Sequence, residues 1–157
     1  MITLKELRIS KGLTQKKAAE ICSVSLRTYK TYETDISKEN KPRYRYMILL
    51  LEEYGFIDET HGILTIDQIR EKCADVLPEF KVSYCYLFGS YAKGYATQTS
   101  DIDLLVSADV SGLQFFGLVE SLRSALCKKV DLLEINQLDH NVELIDEILK
   151  NGIRIYG

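Results

Sequence analysis

Two acidic residues in the segment 84–106, Asp101 and Asp103, follow a Gly-Ser pair, Gly89-Ser90. Alternate side chains of a strand point to the same face of a sheet, so the two carboxylates are expected to share one face. Neighbouring carboxylates repel each other, and a magnesium ion, whose oxygen ligands can include phosphate groups, is the usual way to keep both ionised. Gly89 and Ser90 stand where a turn opens a helix, and the free backbone N–H groups there favour a phosphate. The two features together are typical of nucleotidyl transfer.

A third acidic residue lies inside the apolar segment 128–135. Burying an unpaired carboxylate is unfavourable, so Asp131 is expected to have a specific role. If this segment forms a strand beside the one with the acidic pair, Asp131 faces the pair and completes a set of three carboxylates. Two of them would position metal ions that neutralise a triphosphate, and the third would ligate a metal and accept the proton of an attacking hydroxyl. The alternative is a salt bridge at the strand edge between Asp131 and Lys128 or Lys129.

The C-terminal part has the hydrophobic periodicity of helices and strands that could position these groups. Thr65 is expected to cap the first helix and Pro78 to end it. We predict helices at 66–77, 111–126 and 142–149, and strands at 82–88, 100–104, 128–135 and 153–156. These elements predict a small domain built on a mixed sheet.

Residues 3–33 have the pattern of three short helices, which Thr3, Thr14 and Ser25 are placed to cap. Small residues allow another helix to pack closely, and the inward face of the second helix is expected to consist of Ala18, Ala19 and Cys22. A supporting helix, a second helix, a tight turn and a third helix together form the helix-turn-helix arrangement.

The polar segment 35–42 is expected to be a linker, and 43–54 a helix. The apolar stripe of this helix is predicted to include Tyr46, Ile48, Leu49 and Leu50. We expect it to be a core or dimer-contact helix that bridges two modules, although its Arg and Tyr residues could instead stack on nucleic acid. The prediction is therefore an α+β protein, with an all-α helix-turn-helix domain at 1–40, a linker and bridging helix at 41–60, and the small mixed-sheet domain at 61–157.

The formal net charge of −3 at pH 7 hides an uneven distribution. Residues 1–46 carry 11 Lys and Arg against 5 Asp and Glu, whereas residues 47–157 carry 9 against 18. A basic first part and an acidic second part indicate two modules with different partners. The basic part is the candidate for nucleic acid, and a merely solvated basic face is the alternative.

The composition is that of a globular protein, and no segment is long and apolar enough to span a bilayer. The first residues lack the apolar core of a signal peptide. The 4 cysteines form no CxxC pair and have no His cluster beside them, which favours free thiols over disulfides or zinc. We therefore expect a soluble cytoplasmic protein with no membrane partner.

The run 12–33, GLTQKKAAEICSVSLRTYKTYE, resembles the phage-repressor-type helix-turn-helix family. It matches at its Gly-Leu-Thr-Gln start, Ala19, the Ser25 cap and the closing Tyr-Glu. It departs at Ser23 and Ala18, where the family usually has glycine and leucine. The resemblance implies that the third helix enters the major groove of operator DNA and that the module binds as a dimer, while protein contacts alone are the alternative. The candidates for phosphate and base contacts are Gln15, Arg27, Thr28, Lys30 and Thr31.

The C-terminal motifs are GSxxxG at 89–94, SDxD at 100–103, and Asp131 in a later strand. In this order they resemble the minimal nucleotidyltransferases of the DNA polymerase β superfamily. Where that family often has Ala-Arg-Gly, the chain has Ala92-Lys93-Gly94. Lys93 keeps the positive charge for phosphate contact but lacks the bidentate fork of arginine.

The resemblance implies a Mg²⁺-dependent transfer with ATP as the substrate. Gly89 and Ser90 would bind the β- and γ-phosphates through backbone N–H groups and the Ser90 hydroxyl. Asp101 and Asp103 would hold the magnesium ions. Asp131 would also ligate metal, and would orient and deprotonate the acceptor hydroxyl while pyrophosphate leaves.

Small nucleotidyltransferases of this kind are commonly antitoxins paired with a helical HEPN ribonuclease toxin. The resemblance therefore implies a protein adenylyltransferase that moves AMP from ATP to a tyrosine of the partner toxin. By analogy, the DNA-binding module would repress the operon of the pair. A homodimer and a hetero-oligomer with the toxin both stay open.

Three other functions also stay open. The first is transfer to a small molecule such as an aminoglycoside, although the chain after Asp131 is short for the extra domain that such enzymes use. The second is a transcriptional repressor whose nucleotidyltransferase fold only senses a nucleotide or a partner. The third is neutralisation of a toxin by binding alone.

Overall fold

The structure, a computed structural model, describes residues 2–157. Its contacts divide the chain into two compact units, one ending at Phe56 and one beginning at Ile57. Within the described residues the first unit has only helices as regular structure, and the second has a four-stranded mixed sheet with helices. The predicted α+β class is confirmed. The predicted domain limits at 1–40, 41–60 and 61–157 stay a prediction.

The helices of the first unit are α1 (Leu4–Ser10), α2 (Gln15–Ile21), α3 (Leu26–Thr34) and α4 (Pro42–Glu53), with a 3₁₀ turn at Ile36–Lys38. The side-chain oxygens of Thr3, Thr14 and Ser25 each accept a hydrogen bond from the backbone N–H three residues later. These bonds satisfy donors that the start of a helix leaves free. The three helices of the predicted helix-turn-helix therefore begin where their caps predict.

The core of the first unit lies between the faces of its four main helices. Leu4 of α1 and Tyr29 of α3 are fully buried. The predicted small face of α2 is confirmed, because Ala18, Ala19 and Cys22 are at most 4% exposed. Small side chains at these positions let the other helices approach α2 closely.

The predicted apolar stripe of α4 is correct only in part, because Ile48 and Leu50 pack half-buried against the core of the first unit whereas Tyr46 and Leu49 do not. The predicted stripe was Tyr46, Ile48, Leu49 and Leu50. The buried side chains are instead Tyr44, Met47 and Leu51, at the spacing of three and four residues that one helix face requires. Tyr46 and Leu49 are 59% and 54% exposed. The buried face belongs to the core of the first unit.

A buried ion pair joins α1 to α3. The guanidinium of Arg8 donates to both carboxylate oxygens of Glu33, at 2.8 and 3.1 Å, and to the carbonyl oxygen of Leu13 at 2.9 Å. The side chains of Arg8 and Glu33 are 14% and 2% exposed. The hydrogen bonds with Glu33 raise the pKa of Arg8. The bidentate geometry satisfies two charges that would otherwise be very unfavourable inside the protein.

The regular elements of the second unit are α5 (Ile66–Val76), β1 (Val82–Phe88), α6 (Gly89–Lys93), β2 (Ile102–Ala108), α7 (Leu113–Leu126), β3 (Val130–Glu134), α8 (Val142–Asn151) and β4 (Ile153–Tyr156). Two 3₁₀ turns, Leu77–Phe80 and Ile135–Leu138, lie between them. The predicted order of helices and strands is confirmed, with ends shifted by a few residues. The largest shift is in the second strand, which starts after Asp101 and continues to Ala108.

The sheet has the order β3-β2-β1-β4. Strand β1 is antiparallel to both β2 and β4, whereas β2 and β3 are parallel and are connected through α7. On β2, Ile102, Leu104 and Val106 are fully buried in the main core. Because strand side chains alternate, Asp103 points to the opposite face, so the sheet separates this acidic residue from the core.

Among residues 2–157, no helix combines the length and the apolar composition needed to cross a bilayer.

Candidate active site

The turn after β1 brings the backbone against an acidic side chain. Phe88 pairs with Asp103 of β2, so Gly89 lies beside the Asp103 carboxylate. A Cβ atom at Gly89 would lie 2.9 Å from Cγ of Asp103 and closer still to its Oδ2. The φ angle of Gly89 is also positive, at +69°, a conformation that glycine adopts most easily. Gly89 is therefore required here by both space and backbone conformation, and it opens α6 as predicted.

Asp103 and Asp131 lie side by side, because they are directly paired residues of the parallel strands β2 and β3. Asp101 immediately precedes β2, two residues before Asp103. Asp103 is partly buried, whereas Asp101 and Asp131 are exposed. Asp131 is exposed at the start of β3, and its pairing with Asp103 agrees with the expectation that the two residues face each other. Among the three aspartates, Asp103 is the one whose carboxylate is partly shielded from solvent.

The surroundings of Asp103 disfavour its ionised form. The pKa of Asp103 is raised to about 6, mainly by burial and then by the charges of Asp131, Asp101 and Glu147. The charge of Lys93 acts in the opposite direction. Like charges and lost hydration both penalise the carboxylate, so a bound cation would relieve both penalties. The donor set therefore has the oxygen chemistry that magnesium prefers.

Within residues 2–157, no three His, Cys, Asp or Glu side chains form a ready-made metal cluster. The three predicted carboxylates therefore do not make a closed cage. Magnesium is usually held by one or two carboxylates together with substrate phosphates, rather than by an all-protein cage. The paired Asp103 and Asp131 fit this open mode, and Asp101 stands two residues before Asp103 in the chain.

Lys93, the predicted phosphate contact, lies at the end of α6 and forms an ion pair. Its Nζ lies 2.6 Å from Oε1 of Glu147 on α8, and 6.0 Å from the centre of the Tyr95 ring. The hydrogen bond with Glu147 is the main cause that raises the pKa of Lys93. Sequence reasoning did not select Glu147, because nothing local distinguishes it from the other acidic residues of its helix.

The alternative role for Asp131, a salt bridge at the strand edge, does not occur within the described residues. Lys128 is instead only 1% exposed, and its Nζ donates to the carbonyl oxygens of His61 at 3.1 Å and Gln98 at 2.5 Å. Burial lowers the pKa of Lys128. Gln98 belongs to the loop that leads to Asp101, so Lys128 holds that loop in place. Sequence reasoning missed this role.

Four of the five predicted DNA contacts lie on one surface of the first unit. A shallow depression of about 760 Å³ is lined by Gln15, Leu26, Arg27, Lys30, Thr31 and Thr34. Arg27 and Lys30 are exposed there and can reach phosphates. Thr28, the fifth predicted contact, lies outside this lining, and its backbone N–H and hydroxyl both bond to the Ser25 cap.

Known families match both parts of the chain. A model of the polymerase beta nucleotidyltransferase family matches residues 71–157, and a helix-turn-helix family model matches residues 4–60. The predicted resemblances to both families are confirmed.

Individual relatives match the second part. The chain is 34% identical over 94 residues to a Methanocaldococcus jannaschii protein that is assigned by name to the protein adenylyltransferases, with 59% of this chain and 99% of the relative covered. It is 32% identical over 96 residues to the protein adenylyltransferase MntA of Shewanella oneidensis, and the match covers 60% of this chain and 66% of the relative. A chain in the solved structure of the tri-AMPylated Shewanella oneidensis HEPN toxin with an MNT antitoxin is 26% identical, with a TM-score of 0.46 and coverage of 59% and 73%. Because the polymerase beta model covers more than half of the chain, the protein belongs to the polymerase beta nucleotidyltransferase family, and it carries a helix-turn-helix in its N-terminal part.

Proposed function

We propose that this protein is an antitoxin that transfers AMP from ATP to a tyrosine hydroxyl of a HEPN-type partner toxin. The observation that carries the proposal is the pairing of Asp103 with Asp131 on parallel strands, against the glycine turn at Gly89. A phosphate-binding turn beside paired carboxylates suits displacement at a phosphorus atom. Similarity to named protein adenylyltransferases favours a protein as the acceptor.

In this reaction the backbone N–H groups at Gly89 and Ser90 bind the β- and γ-phosphates, with the Ser90 hydroxyl as a further donor. Asp101, Asp103 and Asp131 are the residues that would hold Mg²⁺. The ion would supply positive charge against the triphosphate and the leaving pyrophosphate.

Asp131 would act as the base, and its exposure to an incoming acceptor and its pairing with Asp103 support this role. It orients the tyrosine hydroxyl and accepts its proton. A bond forms between the tyrosine oxygen and the α-phosphorus, and the bond between the α-phosphorus and the bridging oxygen breaks. Pyrophosphate carries away the electron pair of the broken bond, and the toxin keeps the AMP.

The first unit would bind operator DNA through the surface at Arg27 and Lys30, with Gln15 and Thr31 beside them. The two cations would contact phosphates, and the polar side chains would reach base edges. Thr28 would act through the start of α3, since its polar groups are already bonded to Ser25. Such binding would let the antitoxin repress its own operon.

The test uses the purified protein, Mg²⁺, α-labelled ATP and the HEPN-type protein encoded beside it as the acceptor. We expect label on a tyrosine of the acceptor and its loss with Asp103→Asn. Asp109→Asn is the matched control, because Asp109 is exposed just beyond the far end of the same strand. The absence of label with wild-type protein and any nucleoside triphosphate would overturn the proposal, as would full labelling by Asp103→Asn.

A further inference from the structure

The ion pair between Lys93 and Glu147 differs from the pair Lys150–Asp146, which also involves helix α8. Both side chains are partly withdrawn from solvent, at 28% and 31% exposure, and they join two helices that are distant in sequence. The side chains of Lys150 and Asp146 are 69% and 57% exposed, and this pair lies within a single helix. Exposed pairs of the second kind contribute little to stability. The first pair has a tertiary geometry that needs a separate explanation.

The pair also lies beside the candidate active site. Lys93 ends the short helix that Gly89 opens, and Gly89 touches Asp103. The charges of both Lys93 and Glu147 act on Asp103. Glu147 is thus an acidic residue that a third element, α8, brings to the edge of the carboxylate cluster.

We propose that Glu147 is a positioning residue that holds the Lys93 ammonium in place for the triphosphate of the nucleotide. The inference rests on the proposed function and names a residue that the function did not include. Lys93 has a flexible four-carbon stem and a compact charge, so it must lose side-chain freedom before it can bind a phosphate. A carboxylate at 2.6 Å removes that freedom in advance.

The pair leaves Lys93 able to bind a phosphate. An ammonium can donate three hydrogen bonds, and the contact with Glu147 uses one of them. The same division of labour operates in protein kinases, where a lysine on the phosphates is held by a glutamate from a neighbouring helix. Lysine lacks the planar guanidinium with which arginine orients itself on a phosphate, so the carboxylate of Glu147 would fix the position of the Lys93 ammonium.

The experiment measures the Kd for ATP with Mg²⁺ by titration calorimetry, without an acceptor, for the full chain. Glu147→Gln keeps the size of the side chain and removes its charge. We expect it to weaken ATP binding roughly tenfold, the size typical of a hydrogen bond to a charged group. In transfer assays the KM for ATP should rise by a similar factor, while kcat changes less than about twofold. Asp146→Asn, one residue earlier on the same helix, should change neither quantity.

A double-mutant cycle separates positioning from a general structural role. In a Lys93→Met background, Glu147→Gln should have no further effect on the Kd for ATP, because the group that it positions is gone. Equal effects of Glu147→Gln with and without Lys93 would overturn the proposal, as would tighter ATP binding by Glu147→Gln. The binding readout needs no acceptor, so a failure of AMP transfer in wild-type protein would contradict the proposed function without obscuring this result.

Discussion

The two units place charged groups in opposite ways. In the first unit, Arg8 and Glu33 are opposite charges that satisfy each other at 2.8 and 3.1 Å, almost out of contact with water. In the second unit, Asp103 is held beside Asp131 and near Asp101, so like charges gather at the edge of the sheet. The opposite charges of Arg8 and Glu33 compensate each other within the protein. The carboxylates around Asp103 instead repel one another.

This difference separates a structural use of charge from a functional one. A buried bidentate pair compensates its own desolvation and fixes how two helices meet. A cluster of carboxylates opposes folding until a cation or a substrate group compensates it, so its presence points to chemistry.

The largest expected effect follows from removal of the acidic pair. Asp101→Asn combined with Asp103→Asn should lower AMP transfer by roughly 10³-fold or more, because two preorganised charged groups are lost at once. Co-expression with the HEPN-type toxin should then no longer protect the cell. DNA binding and the folded state should be retained, since neither carboxylate supports the core. Full protection by the double variant would indicate neutralisation by binding alone.

The second effect follows from breaking the buried pair of the first unit. Glu33→Gln should lower the free energy of unfolding of this unit by about 3 kcal/mol, because Arg8 would remain charged and buried without its partner. Hydrogen exchange in α1 and α3 would measure the loss. Glu20→Gln is the control, because its pair with Lys17 is exposed and should contribute less than about 0.5 kcal/mol. Equal losses for the two variants would contradict the structural role of Arg8–Glu33.

A third, intermediate effect concerns the buried cation that holds the loop before Asp101. Lys128→Met should lower the stability of the second unit by about 2 kcal/mol, because two carbonyl oxygens lose their donor. Faster hydrogen exchange at residues 97–100 would locate the loss. Lys129→Met changes the exposed neighbour and should have no measurable effect. Normal exchange in the loop of Lys128→Met would show that this lysine does not anchor it.

The smallest effect is the dependence of stability on pH. The pKa of Asp103 is about 6 in the folded protein, above the ordinary value of 3.8, so the folded state keeps its proton longer than the unfolded state. The stabilisation is present below about pH 4 and is lost as the pH rises through about 6. Because this carboxylate keeps partial contact with solvent, we expect the loss to be only about 1 kcal/mol.

The measurement compares wild-type protein with Asp103→Asn between pH 4 and 7, by hydrogen exchange of β2 and β3 in the presence of a chelator. Only the wild-type protein should lose stability through this group, and Mg²⁺ should reduce the difference. A parallel pH dependence of the two proteins would show that Asp103 ionises normally.

Much of the local structure could be predicted from the sequence because its causes are local. Thr3, Thr14 and Ser25 cap helices through bonds to residues three positions away, and alternation along β2 assigns Asp103 to the face opposite Ile102 and Leu104. The turn at Gly89 was also predicted, because this glycine follows an apolar strand. Helix α4 was predicted, but its buried face was predicted only in part, because several of its faces are apolar and only packing selects Tyr44, Met47 and Leu51.

The same distinction between local causes and long-range packing applies to the candidate site. The chain by itself determined which residue types could do phosphate chemistry and in which strands and turns they lie, because motif spacing and side-chain periodicity are properties of neighbouring residues. Only the tertiary structure decided that Asp131 is exposed and that Lys128 anchors a loop instead of forming a salt bridge with Asp131. It also decided that Glu147 reaches Lys93 from a distant helix. These outcomes depend on which segments pack together, and long-range packing is set by the whole core rather than by any local sequence signal.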